Sequence, residues 1–318
     1  MQTNALLLAL AAGLISAVVF ASATTGPVLL RFVLFFLTPF ALYLAGLGLG
    51  HAAAAIAAIA ATAIILLLTT PLTACVYALS TAAPAYVTTR LALLSRGEDD
   101  AREWYPLGRI IAIAALFGGG LATLIILLMG ADVEALTKAM RGLVESFVKT
   151  ELPALPGAPE MKEEQIAEMT ATALRSLPWA LGILSTMTIL LNLWLAGRVT
   201  LASGRLTRPW PDLSAVQLPT GAMIALVIAT AATLAGGLTA LLAGGFAGAF
   251  TLAFALIGLA VVHVFSRGSP WRNFMLSALY AALIVFLGPV ALILAILGLA
   301  ETVFGYRFTK ERPPPPKS

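Results

Sequence analysis

From Ala5 to Arg90 the chain carries only two charged side chains, Arg31 and Arg90. Four apolar blocks fill that stretch, parted by short turns. A water-soluble domain would have too few solvating groups to cover this much hydrocarbon, whereas a lipid bilayer accepts it directly. Over the whole chain 11% of residues are charged and mean hydropathy is +0.97. A soluble protein carries about 25% charged residues.

The apolar runs are continuous and rich in leucine and alanine, whereas strands of a membrane barrel alternate over about ten positions. The expected fold is therefore an all-α, polytopic transmembrane helix bundle. Each crossing needs about 20 apolar residues, which allows roughly eight to ten spans. Spans are expected at 5–23, 28–47, 52–68, 72–94, 110–129, 178–196, 221–242 and 245–265. The last apolar block, 273–304, is too long for one straight span. Gly288-Pro289 divides it, because proline breaks the helix ladder and glycine loosens it. Two short helices are the preferred reading, and one kinked helix is the alternative. The first block lacks a basic leader and a cleavage site, so it reads as a retained span.

Arginine and lysine favour the cytoplasmic side. Ten spans place 96–109, 198–219, 266–273 and the tail on one face, and these segments hold twelve of the 19 basic residues. The opposite face carries one long segment, 131–177, with five basic and eight acidic residues. The expectation is a single membrane domain, 1–318, in a bacterial inner membrane with both termini cytoplasmic. It has an external helical insertion at 131–177 and a disordered tail at 307–318 that includes Pro313–Pro316. In the insertion, Val133, Leu136, Met140, Leu143 and Phe147 make one apolar helix face. Pro153, Pro156, Gly157 and Pro159 stop that helix, and a second begins near Glu160 and is able to run on into the next span. Such an amphipathic hairpin lies on the bilayer surface or covers an outward pocket.

Small residues mark close helix contacts. Ala5, Ala9, Gly13, Ala17 and Ala21 recur every fourth position through the first span, a face for another helix of the bundle or for a partner subunit. Ala53, Ala57 and Ala61 repeat the device, and Gly244/Gly248 is a shorter version. Gly118-Gly119-Gly120 and Gly236-Gly237 fall within expected spans, where they permit a tight crossing or a break that lines a cavity.

Ionisable groups inside a membrane are functional candidates. Arg31 follows Gly26-Pro27 by one turn, so it either snorkels to the surface or recognises an anion at an outer pocket. Thr69, Thr70 and Thr73 flank Pro71 and offer hydroxyls to the same pocket. His263 and Glu301 fall near the inner face, as a polar pair able to relay a proton or as two interfacial side chains. Asn192 is expected to bond a neighbouring helix.

No Walker loop, HExxH helix or GxSxG elbow is present, so no enzyme, catalytic residue or cofactor is expected. The single cysteine, Cys75, has no internal disulfide partner, and no Cys/His spacing suggests a metal. The modest net charge of +4 gives no reason to expect nucleic acid.

Ala45-Gly-Leu-Gly-Leu-Gly50 after Pro39, the small-residue first helix and Glu103-Trp-Tyr-Pro-Leu-Gly-Arg109 resemble the YybS-like family of multi-pass bacterial membrane proteins. That family is similar to the S components of energy-coupling-factor transporters. The resemblance implies a vitamin-like solute bound near the outer face. It also implies a transmembrane coupling subunit docked on Ala5, Ala9, Gly13 and Ala17. The chain differs in having more spans than the usual six. The leading expectation is a transporter-type solute-binding component without its own ATPase, in contact with lipid and a coupling subunit. The alternative is a non-transporting scaffold or assembly factor of the envelope.

Overall fold

The computed structural model describes residues 3–23, 27–98, 101–130, 132–150 and 161–307. The first apolar block forms α1 (Thr3–Ser22). The second divides at Thr38-Pro39 into α2 (Val28–Leu37) and α3 (Phe40–Leu49). After α4 (His51–Leu68), the fourth block runs as α5 (Pro71–Tyr77), a π turn (Ala78–Ala82) and α6 (Ala83–Ala92). The π turn lies just before Pro84, which has no N–H to donate to the preceding turn. A two-stranded antiparallel ribbon, β1 (Ser95–Arg96) with β2 (Glu103–Trp104), leads into α7 (Leu107–Met129). Then follow α8 (Val133–Thr150), α9 (Glu163–Ala202), α10 (Thr220–Thr233), α11 (Gly237–Phe265), α12 (Arg272–Val285) and α13 (Leu287–Phe304).

Among the described residues six helices are long and apolar enough to cross a membrane: α1, the α2–α3 stretch from Leu29, α4, α7, α9 and α11. Helices α10, α12 and α13 are apolar but shorter. At 1.5 Å per residue, α10 rises only about 21 Å, less than the roughly 30 Å hydrocarbon core. It is short because the turn expected near 243–244 lies instead at Leu234–Gly236. Gly236 and Gly237 have φ of 72° and 58°, in the left-handed region that suits glycine. These two residues were expected inside a span, and the structure makes them its end. The final block is two helices, as preferred, but the break falls at Phe286. Gly288 and Pro289 then occupy the first turn of α13, where proline's missing N–H has no helical partner to lose.

Helix α11 sits at the centre, packed by α7, α9, α10 and α13. Glycine makes these contacts close. A Cβ at Gly182 of α9 would fall on the Gly245 carbonyl, one at Gly248 on the Trp179 carbonyl, and one at Gly119 on Phe246. The glycine triplet of α7 thus serves a tight crossing inside an unbroken helix. On the other side of α11, Gly258 meets the Leu294 backbone and Gly298 meets Phe254, so α13 runs antiparallel to α11.

The first four helices form a second layer. Ala9, Gly13 and Ala17 of α1 are buried against α4, whose Ala53, Ala57 and Ala61 face back. The Ala57 carbonyl lies 2.6 Å from where a Cβ of Gly13 would stand. Ser16 donates to the Thr38 carbonyl at 2.6 Å, and with its one proton used there it accepts from Tyr77 at 2.7 Å. The break at Pro39 is thereby tied to α1 and α5.

The insertion is a helical hairpin. Helix α9 runs unbroken for 40 residues, so the helix expected near Glu160 does continue into the membrane span. The proline-rich run 153–159, Glu160 and residues 308–318 lie outside the described residues. Leu136 of α8 packs with Ile126 and Leu241 at one end of the bundle. Arg141 pairs with Glu145 at 2.8 Å and with Glu163 of α9. The hydrogen bond from Arg141 holds the Glu145 carboxyl below its usual range. A depressed carboxyl pKa stabilises the fold above the ordinary value and loses that contribution as pH falls through the lowered one. Both side chains are exposed, so the effect is local. Protection of the α8 amides, taken relative to the intrinsic exchange rate at each pH, is expected to fall between pH 7 and pH 3 while that of α11 is unchanged. Equal protection of α8 at both pH values would contradict this.

Candidate functional site

A concave feature lies at the end of the bundle where the arginines collect, opposite the hairpin. It is a cleft of roughly 930 Å³ between α9, the second half of α11, the start of α7, α12 and the connection 203–219. That volume is at the upper end of ordinary ligand sites, about 300–1,000 Å³. Leu190, Leu193, Leu252, Leu256, Ile257 and Ile111 make its floor and walls. Arg208, Arg267, Arg272, His263, Asp212 and Tyr280 supply its polar atoms.

Local chemistry builds the wall formed by 203–219. Pro209 and Pro211 keep the chain out of a helix, and Trp210 between them packs over Gly197 and lies 5.2 Å from the Arg198 guanidinium. Asp212 caps the 3-10 turn Leu213–Ala215, accepting from the Ser214 hydroxyl at 2.7 Å and the Ser214 amide at 2.9 Å. Those bonds hold the Asp212 carboxyl below its usual range, so it is ionised at neutral pH. Arg267 donates to the Ser214 hydroxyl at 2.7 Å.

Arg307 anchors the wall from behind. It donates to the Ser214 and Val216 carbonyls and, through Nε, to Glu301 at 2.9 Å. Glu301 also accepts from the Arg307 backbone amide. This hairpin of charges forms because Gly305, at φ 64°, turns the chain back after α13. Arg307 and Glu301 are both buried, at 2% and 3% exposure. Arg307 therefore belongs to the core and not to the expected tail.

The expected site residues are not brought together. His263 bonds the Leu259 carbonyl at 2.9 Å and Tyr280 at 3.3 Å, and Glu301 is engaged by Arg307, so the two do not pair with each other. Thr69 donates to Ile65, and Thr70 caps α5 by accepting from the Thr73 amide and sharing a hydrogen bond with the Thr73 hydroxyl. Neither these hydroxyls nor Arg31, on α2, lines the cleft. On the α1 face expected to dock a partner, Ala9, Gly13 and Ala17 are covered by α4, Ala5 is half-buried and Ala21 exposed. Asn192 bonds the Phe36 carbonyl across helices at 2.6 Å. In the sequence the cleft arginines signal only topology. The Pro-Trp-Pro run between Arg208 and Asp212 was the one local sign that this connection is shaped.

Helices of this length, buried small-residue crossings and an amphipathic cleft define a multi-pass α-helical membrane protein in contact with the lipid bilayer. The chain matches the family described as Predicted membrane protein (DUF2232) over residues 14–302, and it belongs to that family. Comparisons with curated proteins and with solved structures find no match.

Proposed function

We propose that this protein is a transporter-type binding component of the bacterial inner membrane that takes an amphipathic small molecule into the arginine-end cleft. The observation that supports this is the cleft itself: a long leucine-lined trough ending in cationic and hydrogen-bonding side chains. By the positive-inside rule this end faces the cytoplasm, with both termini on that side. Asp212, Ser214, Arg267, His263 and Tyr280 are bonded to the wall or to one another, an arrangement suited to binding rather than to enzyme chemistry. The likeness to YybS-like proteins and to energy-coupling-factor S components fits a solute-binding role without an ATPase. A coupling subunit would have to engage α1 through its exposed leucines, such as Leu7 and Leu14, because the central small residues are already covered.

The test is native mass spectrometry of protein released from membranes. A bound amphiphile is expected, with occupancy reduced about tenfold, or 1.4 kcal/mol, by Leu256→Trp, which fills the trough. Protein that carries no amphiphile and takes up none when offered would overturn the proposal. That result would favour the scaffold reading, for which the exposed Leu143 and Phe147 on α8 are the available surface.

A further inference from the structure

We infer that the cleft's occupant is a membrane lipid with an anionic, phosphate-type headgroup, held between Arg208 and Arg272 with its acyl chain along the leucine trough. This inference rests on the cleft reading above and adds the ligand class.

Charge balance is the first argument. Among the described residues three arginines line the cleft, and Asp212 is the one carboxylate that does. Asp212 is already committed to Ser214. Arg208 is half-buried, donates to the Ala92 carbonyl at 3.2 Å and lies 5.9 Å from the Trp104 ring. Among the described residues no carboxylate pairs with it. Burial draws its pKa below the ordinary arginine value, yet a guanidinium stays protonated in proteins. A cation that is partly desolvated without a counter-charge is costly, and an incoming anion removes that cost.

Arg272 gives the second argument. It lies in the first turn of α12, a helix of 14 residues, and no ion pair or side-chain hydrogen bond engages it among the described residues. The first turn of a helix carries partial positive charge and open amides, so a cation there is unfavourable until an anion arrives. Arginine forks match phosphate oxygens two at a time. Tyr280, 43% exposed and bonded to His263, adds a hydroxyl to the same cavity.

The trough decides between a lipid and a free anion. Inorganic phosphate would engage the arginines alone and leave uncovered the cleft-facing parts of Leu190, Leu193, Leu252 and Leu256, which are half-buried. An acyl chain covers those walls and brings its headgroup to the arginines.

The experiment measures binding of phosphatidylglycerol and phosphatidylcholine to delipidated protein by native mass spectrometry, with wild type, Arg272→Gln and the Arg208→Gln/Arg272→Gln double variant. Arg205→Gln, exposed and outside the cleft, is the charge-matched control. Phosphatidylglycerol is expected to bind about tenfold more tightly than phosphatidylcholine, a 1.4 kcal/mol preference. The preference should shrink in Arg272→Gln, vanish in the double variant, persist in Arg205→Gln and weaken as salt is raised. Arg272→Gln removes no described bond, so it reports on binding even where the double variant is unstable. Equal affinity for the two lipids would overturn the headgroup assignment and leave the cleft reading standing. Binding of neither lipid, nor of any other amphiphile, would remove both. Displacement of phosphatidylglycerol by equimolar inorganic phosphate would show that a soluble anion, not a lipid, is the ligand.

Discussion

Gly182→Leu is expected to unfold the bundle. The Gly182 Cα of α9 faces the Gly245 carbonyl of α11, with no room for a single added carbon. The obstacle is backbone, so no rotamer change relieves it, and the helices must separate. Separation would also open the neighbouring contacts of Gly248 with Trp179 and Gly119 with Phe246. Overpacking a core costs typically about 1–3 kcal/mol and sometimes more, and here several contacts fail together. The upper end of that range, or loss of folded protein, is the expected result by thermal unfolding in detergent. Gly120, the third glycine of the α7 triplet, has nothing within 4 Å of its added carbon. Gly120→Ala is therefore expected to stabilise by up to about 1 kcal/mol through helix propensity. Similar effects of the two substitutions would show that the crossing is looser than described.

Arg307→Ala is expected to be nearly as damaging. It leaves the buried Glu301 without its partner, and breaking a buried pair in this way costs about 3–5 kcal/mol. It also strips donors from the Ser214 and Val216 carbonyls. The paired variant Glu301→Leu/Arg307→Met removes both charges and should recover part of the loss, though not the carbonyl bonds. Thermal midpoints measure the energetic side. For the local side, Cys75, which is exposed, is first replaced by serine, and a cysteine is placed at Ser214. Labelling there by a water-soluble thiol reagent should be slow with Arg307 intact and fast in Arg307→Ala. Unchanged labelling would mean that Arg307 does not hold the wall.

The helices were legible in the sequence because hydrocarbon and charge are local properties, and the block from Ala5 to Arg90 could be solvated in only one way. The roles of the glycines were less so. Gly236-Gly237 and Gly244-Gly245 look alike in composition, yet the first pair turns the chain and the second lets α9 and α7 touch α11. Only a partner backbone distant in sequence distinguishes them. The same reason hid the charge pairing. Glu301 meets Arg307 through a left-handed glycine turn, six positions on, a spacing that no regular helix face brings together. The cleft was hidden most deeply, because its leucines come from helices whose apolar faces all read alike until their neighbours are known.

Helix α9 carries one more implication. Its 40 residues form a rod of about 60 Å, gripped near its middle by Gly182. One arm ends in the hairpin contact with Arg141, and the other carries Leu190 and Leu193 along the cleft. Hairpin contact and cleft wall thus share one continuous shaft, whose ladder lacks a backbone donor at Pro178.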